Sequence, residues 1–240
     1  MTWNEEELIG MTIGWYQKRF PKATITIMDN MSTDNTVSIA SSKGCIIHSF
    51  DTGNKLSDEA YLSLKNNIWK NNKGWVLICD CDECLDITEK DLENETASII
   101  RFNAYNSIKY GFGQRNVHYD KYYLFNADKI KEINYNYGCH TANPIGDISF
   151  SEKVYIAYHF GFISIERTLK RFSDYRQRLS EGNKEKGLGW HYTHSEEYLR
   201  QGYDSLLNDS IEIDYGNTNV KHQVKFEDEN GNYYGTSRTN

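Results

Sequence analysis

The segment Trp75-Val76-Leu77-Ile78-Cys79-Asp80-Cys81-Asp82-Glu83 joins an apolar run directly to a cluster of carboxylates. A short apolar run after a glycine is typical of a buried strand, and acidic side chains at its end are too polar to continue into a core. Alternation along an extended chain places Asp80 and Asp82 on the same side. The segment therefore predicts a buried strand that ends in two carboxylates facing one way.

Helices and strands alternate through the first 90 residues on either side of this pattern. The spacing predicts helices over 4–20, 37–43 and 57–71, with Asn4 and Ser57 as N-caps. Strands are predicted over 23–28, 45–50 and 75–79. Strands separated by helices favour right-handed crossovers. The fold class expected is therefore α/β, with a mostly parallel sheet flanked by helices.

A second polar segment also follows a predicted strand. Residues 29–36, with the sequence Asp-Asn-Met-Ser-Thr-Asp-Asn-Thr, come directly after the strand over 23–28. Ligands of parallel sheets bind beyond the carboxyl ends of the strands, so both acidic segments belong to one rim. Short polar side chains at a helix start suit a ribose, a base or a phosphate, although a simply capped turn has the same composition.

The carboxylates of this rim predict a divalent cation. Carboxylate oxygens suit Mg²⁺ or Mn²⁺. Without a cation, each carboxylate charge 4 Å from a diphosphate charge would repel it by about 4 kcal/mol at an effective dielectric constant of 20. The rim is thus expected to bind a diphosphate together with a metal ion.

The second half is less regular. Strands are predicted over 97–105, 122–126 and 154–160, and helices over 165–179 and 196–207 after Ser164 and Ser195. We expect one domain over 1–213, with a nucleotide-sugar half over 1–90 and an acceptor half over 91–213. Residues 214–240 are expected to form a polar tail or appendage, with a possible hairpin turn over 229–232.

Composition excludes several classes of protein. The 27 basic and 34 acidic residues give a net charge of −7, which argues against a general nucleic-acid binder. The five cysteines do not form a paired framework, which suits a reducing compartment. No apolar run approaches the ~20 residues of a membrane helix, and no signal peptide is recognised at the amino end. We therefore expect a soluble cytoplasmic protein without a transmembrane segment.

Three motifs, in order, resemble family 2 of the nucleotide-sugar-dependent glycosyltransferases, which have the Rossmann-like GT-A fold. They are Asn4-Glu5, then Asp29 with Ser32, Asp34 and Thr36, then Asp80-Cys81-Asp82-Glu83. The resemblance covers residues 3–90. It implies metal-dependent, inverting transfer of a sugar from a nucleoside diphosphate sugar, with a UDP-sugar favoured. The acceptor implied is a hydroxyl of a glycan or glycoprotein, and the cofactor Mn²⁺ or Mg²⁺.

The resemblance also implies roles for individual residues. The implied donor-binding residues are Trp3, Asn4, Glu5, Asp29, Asn30, Ser32, Asp34 and Asp80. The implied metal ligands are Asp80, Asp82 and His159. Inverting transfer needs a base for the acceptor hydroxyl. Many relatives carry Glu directly after the acceptor-region His140, but Thr141 stands there in this chain. His140, Asp147 and Glu83 remain the candidates for the base.

Other interpretations stay open. The basic helix over 165–179 is either a solvated surface or a contact for the diphosphate or acceptor. An apolar strand that ends in Asp-x-Asp also opens the haloacid-dehalogenase-like phosphohydrolases, although Cys84 stands where those need Thr or Val. A catalytically silent carbohydrate- or nucleotide-binding protein of the same fold is a third reading. Zinc binding by Cys79, Cys81 and Cys84 is disfavoured, because no second thiolate pair follows.

Overall fold

The computed structural model describes residues 1–213 and 215, and the backbone of two short strands over 226–227 and 233–234. The two short strands pair antiparallel. The predicted turn over 229–232 lies outside the described residues, as does most of the predicted tail.

The elements begin and end as follows. The helices are α1 (Glu6–Arg19), α2 (Thr36–Ser42), α3 (Asp58–Asn67), α4 (Glu89–Leu92), α5 (Ile165–Arg178), α6 (Glu181–Glu185) and α7 (Glu196–Asn208). The strands are β1 (Thr26–Asp29), β2 (Ile46–Ser49), β3 (Trp75–Leu77), β4 (Glu83–Asp86), β5 (Ile99–Lys109), β6 (Phe112–Arg115), β7 (Leu124–Asn126), β8 (Ile130–Glu132), β9 (Ile145–Gly146), β10 (Phe150–His159), β11 (Ile211–Glu212), β12 (Phe226–Glu227) and β13 (Tyr233–Tyr234). Single 3-10 turns lie at Val117–Tyr119, Tyr137–Cys139, Phe160–Phe162 and Trp190–Thr193.

The mixed α/β class is confirmed, but the prediction of a mostly parallel sheet is wrong. β1 pairs with β2 in parallel, and in the large sheet β10 pairs with β5 in parallel. The other pairings of the large sheet, whose order is β11-β6-β5-β10-β4 with β7 bridging β5 to β3, are antiparallel. The reason is connection length. For example, two residues join β5 to β6, and so short a link permits only an antiparallel hairpin.

Local signals placed most of the early elements correctly, with two shifts. Ser57 and Ser164 cap α3 and α5 as predicted, accepting hydrogen bonds from the N–H groups of Ala60 and Arg167. The predicted cap Asn4 is wrong, because Glu5 occupies the N-cap position of α1 and Asn4 has a φ of 51°. α3 also ends earlier than predicted, at Asn67.

Two apolar clusters stabilise the molecule. The larger one packs α1 against the large sheet and includes Ile9, Ile13 and Leu85. The smaller one centres on Trp69 and Phe125, whose rings meet edge to face with their centroids 4.9 Å apart. No helix of the described part is long and apolar enough to cross a bilayer. The cysteines are all free thiols.

Candidate functional site

Side chains of helix α1 form hydrogen bonds with the backbone of the acidic segment that follows β3. Thr12 Oγ1, Tyr16 OH and Trp15 Nε1 donate hydrogen bonds to the carbonyls of residues 81, 83 and 85, at 2.5, 2.8 and 2.8 Å. The chain between β3 and β4 is thereby fixed as a turn rather than an extended strand. The alternation predicted for Asp80 and Asp82 is therefore wrong: the strand ends at Leu77, and a turn at residues 81–82 reverses the chain into β4.

Asp80 faces the open side of this turn and is paired with lysine. Its carboxylate lies 2.8 Å from Lys65 Nζ on α3 and 3.9 Å from Lys121 Nζ, and its side chain is 36% exposed. Desolvation alone would raise the pKa of Asp80, but the charges of Lys65 and Lys121 outweigh it and hold the pKa well below its usual value. Asp80 is therefore a carboxylate that stays ionised at any physiological pH.

Glu83 is buried beneath Asp80 and serves the turn. Lys121 Nζ donates to Glu83 Oε1 at 2.5 Å, and the backbone N–H of Asp80 donates to Oε2 at 2.8 Å. Its side chain is 2% exposed. A carboxylate so enclosed and paired positions Asp80 and Lys121 and is closed to solvent.

Asp82 is enclosed almost as completely as Glu83, with its side chain 3% exposed. The guanidinium of Arg171 on α5 forms an ion pair with its Oδ2, and His159 Nε2 lies 3.3 Å from the same oxygen. Desolvation would raise its pKa, but the positive charge of Arg171, followed by His159, holds the pKa well below the usual range. The parallel register of β10 with β5 sets Asn106 opposite His159.

That register matters for the chemistry of His159. Asn106 Oδ1 lies 3.0 Å from His159 Nδ1 and accepts a hydrogen bond when Nδ1 carries a proton. Nε2 lies 3.3 Å from the Asp82 carboxylate, a contact that is attractive when a proton or a cation lies between the two atoms. An imidazole oriented by an amide on its far nitrogen is also the usual arrangement of a metal-binding histidine.

Side chains of the turn over 29–36 form hydrogen bonds within the turn and with its neighbours. Asp29, 2% exposed, accepts hydrogen bonds from the N–H and hydroxyl of Ser32 at 2.9 and 2.6 Å. Asn30 is fully buried and donates to Thr52 Oγ1 and Tyr61 OH, both at 2.9 Å. Asp29 and Asn30, which were predicted to contact a nucleoside, are thus buried side chains that stabilise this turn through hydrogen bonds.

The amino end completes the same turn. Asn4 bonds the backbone and hydroxyl of Thr33, and Asp34 accepts from the N–H groups of Glu6 and Thr36. Glu5 is buried and paired with Arg167 of α5 at 2.5 Å. Trp3 stacks under the guanidinium of Arg178, 3.4 Å from the ring centroid. Every predicted donor-binding residue of the first 36 therefore lies in one connected group beside the carboxyl end of β1.

The two other candidates for the base differ in position. His140 is half-buried, its Nδ1 lies 3.0 Å from the carbonyl oxygen of His118, and its ring contacts Tyr119, which stacks on His159. Burial and the charge of Lys121 lower the pKa of His140 to about 4. Asp147 is exposed beyond β9. The structure brings His140 toward the acidic turn, and it places Asp147 on the surface of the β8–β9 hairpin.

The sequence did not indicate that Lys65 and Lys121 belong to the site, or that arginines of α5 point into it. Lys65 and Lys121 neutralise Asp80 and Glu83, although nothing near them in the sequence distinguishes them from surface lysines. For the basic residues of α5, the sequence alone leaves a solvated surface and a ligand contact as alternatives. Arg167, Arg171 and Arg178 instead point into the molecule, toward Glu5, Asp82 and Trp3. Their spacing of four and seven residues along one helix face was the available signal.

Within residues 1–213 and 215, no three histidine, cysteine or acidic side chains converge closely enough to enclose a metal ion. Asp82 and His159 alone would supply two ligands. Magnesium sites commonly have one or two carboxylates and complete their shell with substrate phosphates and water. An ion bound by this pair would need its other ligands from a substrate or water, and Arg171 already pairs with the same oxygen of Asp82.

Comparisons with known proteins are sparse. No family model and no curated protein matches this sequence. Two crystal structures of S. aureus TarS resemble the chain: one at 16% identity with a TM-score of 0.42, the other, of TarS 1-349, at 14% with a TM-score of 0.41. Each match covers 94% of this chain, and they cover 45% and 74% of the respective TarS chains. The chain thus spans less than half of the first TarS structure, and TM-scores of this size do not establish a shared fold.

Proposed function

We propose that this protein is a glycosyltransferase that uses a nucleoside diphosphate sugar, with a UDP-sugar as the favoured donor. The proposal rests on two ion pairs after the carboxyl end of β3. Asp80 pairs with Lys65, and Asp82 pairs with Arg171. Paired opposite charges at the end of a strand suit a ligand that brings both negative charge and hydroxyl groups. The resemblance of the sequence motifs to family 2 suggests that this ligand is a sugar nucleotide.

The chain's own residues divide the work. The turn over 29–36, with Trp3 above it, forms the wall for the nucleoside, and Asp80 accepts hydrogen bonds from hydroxyl groups of the donor. Asp82 and His159 would hold the divalent ion, Mn²⁺ or Mg²⁺, with Asn106 orienting the imidazole. When bound, such an ion neutralises charge that develops on a departing diphosphate. Lys65 and Lys121 pair with Asp80 and Glu83 and hold both side chains in place.

We assign the base of an inverting transfer to His140. The carbonyl oxygen of His118 can only accept a hydrogen bond from Nδ1, so Nε2 is the nitrogen that takes the proton of an acceptor hydroxyl. Glu83 is enclosed by Lys121, and Asp147 is exposed directly after β9, so both are less suited. The acceptor in this proposal is a hydroxyl of a glycan or glycoprotein.

Calorimetric titration with UDP-sugars, with and without Mn²⁺, tests the proposal. For the wild type we expect manganese-dependent binding and release of UDP in the presence of an acceptor glycan. For Asp82→Asn, we expect turnover to fall by at least about 100-fold, a loss typical of removing one group that stabilises the transition state. Asp204→Asn, on the exposed face of α7, is the matched control and keeps full activity. Equal turnover by both variants would refute the assignment.

A binding protein without turnover is the second candidate. It is favoured by one observation, that Asp80 and Asp82 are both already paired with cationic side chains. Such a protein would bind the sugar nucleotide with wild-type affinity after His140→Gln, and neither form would release UDP.

A further inference from the structure

Three aromatic side chains form a continuous row on the surface of the second half of the chain. The ring centroid of His194 lies 5.4 Å from that of Trp190, and His194 stacks on Tyr198 with the centroids 4.1 Å apart. Trp190 is 64% exposed and Tyr198 is 56% exposed. We call these three side chains the aromatic row. Single apolar side chains on a surface are common, whereas a contiguous exposed patch marks a binding surface.

Hydrogen bonds fix the backbone that carries the aromatic row. Arg176 of α5 donates from Nε to the carbonyl oxygen of Tyr192 at 2.9 Å, and its Nη2 donates to the carbonyl oxygen of His194. The hydroxyl of Ser195 caps α7 by accepting from the N–H of Tyr198 at 3.2 Å. The backbone under the rings is therefore positioned before a ligand arrives, which lowers the entropy that binding costs.

The segment that carries the aromatic row also borders the candidate site. Tyr192, which lies between two members of the row in the sequence, turns inward, and its ring packs on Phe172 of α5 with the centroids 5.2 Å apart. Burial raises the pKa of Tyr192, and the charge of Arg171 acts in the opposite direction from close by. Tyr119 is the next group to influence the pKa of Tyr192, and its ring contacts the proposed base His140. A ligand on the row therefore lies beside the part of the site that holds His140.

The chemistry of the aromatic row suits the rings of a neutral sugar. One face of a sugar ring presents C–H groups, which pack on the electron-rich face of an aromatic ring, and hydroxyl groups surround that face. The indole N–H of Trp190, the imidazole of His194 and the hydroxyl of Tyr198 offer hydrogen bonds at the edges of the same rings. The steps of 5.4 and 4.1 Å between the rings are each about the size of a sugar ring, so the row can cover more than one sugar unit.

Acidic side chains beside the aromatic row argue against an anionic ligand. Glu196 and Glu197 are exposed on the first turn of α7, directly before Tyr198. Glu196 pairs with Arg200. Glu197 accepts a hydrogen bond from the uncharged side chain of Gln201 at 3.4 Å. The charge of Glu197 therefore repels a phosphate polymer, a nucleic acid or an anionic membrane from this surface.

We propose that the aromatic row binds the acceptor, and that this acceptor is a neutral oligosaccharide whose sugar units stack on Trp190 and Tyr198. The terminal sugar unit then presents its hydroxyl to His140. The inference deepens the proposed function and rests on it, because the row supplies a sugar-binding surface and the candidate site supplies the reaction.

An array of neutral and acidic oligosaccharides, probed with the full chain, tests the proposal. The neutral oligosaccharide that binds most tightly is then titrated by calorimetry into the wild type, Trp190→Ala, Trp190→Phe and Phe150→Ala. Phe150 is an exposed aromatic residue of β10 and serves as the matched control. The same proteins are titrated with UDP and Mn²⁺, because that titration measures donor binding separately from acceptor binding.

We expect Trp190→Ala to weaken binding of the oligosaccharide by about 10-fold, which is the scale of one aromatic contact, and to raise the acceptor KM by the same factor. Trp190→Phe keeps a ring and recovers most of the affinity, and Phe150→Ala binds like the wild type. UDP binding is the same in all four proteins.

The proposal is overturned if no neutral oligosaccharide binds, if acidic ones bind more tightly, or if Trp190→Ala and Phe150→Ala lose equal affinity. A dimer in size-exclusion chromatography that dissociates in Trp190→Ala would instead assign the aromatic row to a second copy. Failure of the proposed function has a different result: the row still binds the oligosaccharide, but the wild type neither binds UDP nor releases it.

Discussion

At the scale of single residues, Gly161 shows how closely the site is packed. A β-carbon at this position would lie 2.6 Å from His159 Cε1 and 2.8 Å from Arg171 Nη1. Both neighbours contact Asp82, so even a methyl group must displace one of them. Glycine is therefore required at position 161 because a larger residue does not fit beside His159 and Arg171.

We predict that Gly161→Ala lowers donor turnover more than it lowers stability. The added methyl group moves His159 or Arg171 away from Asp82, and misplacing catalytic groups by about 1 Å costs on the order of 100-fold in rate. Gly202→Ala in α7 is the control, since nothing lies within 4 Å of its added carbon. Turnover and unfolding midpoints of both variants decide the matter, and equal turnover would contradict the packing argument.

His140 provides a pH test of the proposed base. Only the neutral imidazole accepts a proton, so activity is lost as the pH falls through the pKa of the group. Because the pKa of His140 is lowered to about 4, the imidazole is mostly neutral at pH 5.5, and we expect the enzyme to keep most of its activity at that pH. An ordinary imidazole of pKa about 6.5 would be about 90% protonated there. A pH–rate profile whose acid limb lies near 6.5, or one unchanged in His140→Gln, would remove His140 from the role.

At the scale of elements, α5 ties the two halves of the chain together. Its arginines reach Glu5 at the amino end and Asp82 after β3, from about 90 to 160 residues away in the sequence. The ion pair of Arg171 with Asp82 is buried, and removing one partner of such a pair leaves an uncompensated charge. Helix α5, whose sequence is typical of a basic surface helix, is thus part of the candidate site.

We predict that Arg171→Gln weakens donor binding and lowers stability, whereas Lys170→Gln changes neither. Lys170 is adjacent on the same helix but is exposed, and its ion pair within the described part of the chain is with Asp174. Loss of one partner of a buried pair costs about 3–5 kcal/mol, and loss of an exposed pair less than about 1 kcal/mol. Chemical denaturation and calorimetric titration separate the two. Equal effects would mean that the charge of α5, and not the contact with Asp82, matters.

The elements also show why prediction from sequence succeeded in part. Ser57 and Ser164 precede helices whose caps depend on residues three positions away, so local sequence sufficed. The direction of β4 depends on the turn at residues 81–82, which α1 holds through bonds across about 70 residues. Lys65 and Lys121 reach Asp80 and Glu83 from 15 and 38 residues away. Local patterns located the carboxylates of the candidate site but not the side chains that neutralise them.

At the scale of the whole molecule, stability depends on both apolar clusters. Phe125 is fully buried on β7 and links the large sheet to Trp69 beyond α3. We predict that Phe125→Ala lowers the free energy of unfolding by about 3–5 kcal/mol. At about 2–4 °C per kcal/mol for a chain of this size, the midpoint falls by roughly 10 °C. Phe112→Ala, at a half-exposed position of β6, is the control. A drop of similar size in both would indicate that the smaller cluster contributes little.

The ion pairs of the rim have a consequence for the order of binding. Asp80, Asp82, Glu83 and Glu5 each have a cationic partner of their own, so this interior is electrically balanced before anything enters it. A lone dianion would leave an excess of negative charge there, and a lone dication would leave an excess of positive charge. Each therefore favours the arrival of the other, and thermodynamic reciprocity makes the gain in affinity the same whichever comes first. In the proposed enzyme, donor and metal enter as a neutralising couple.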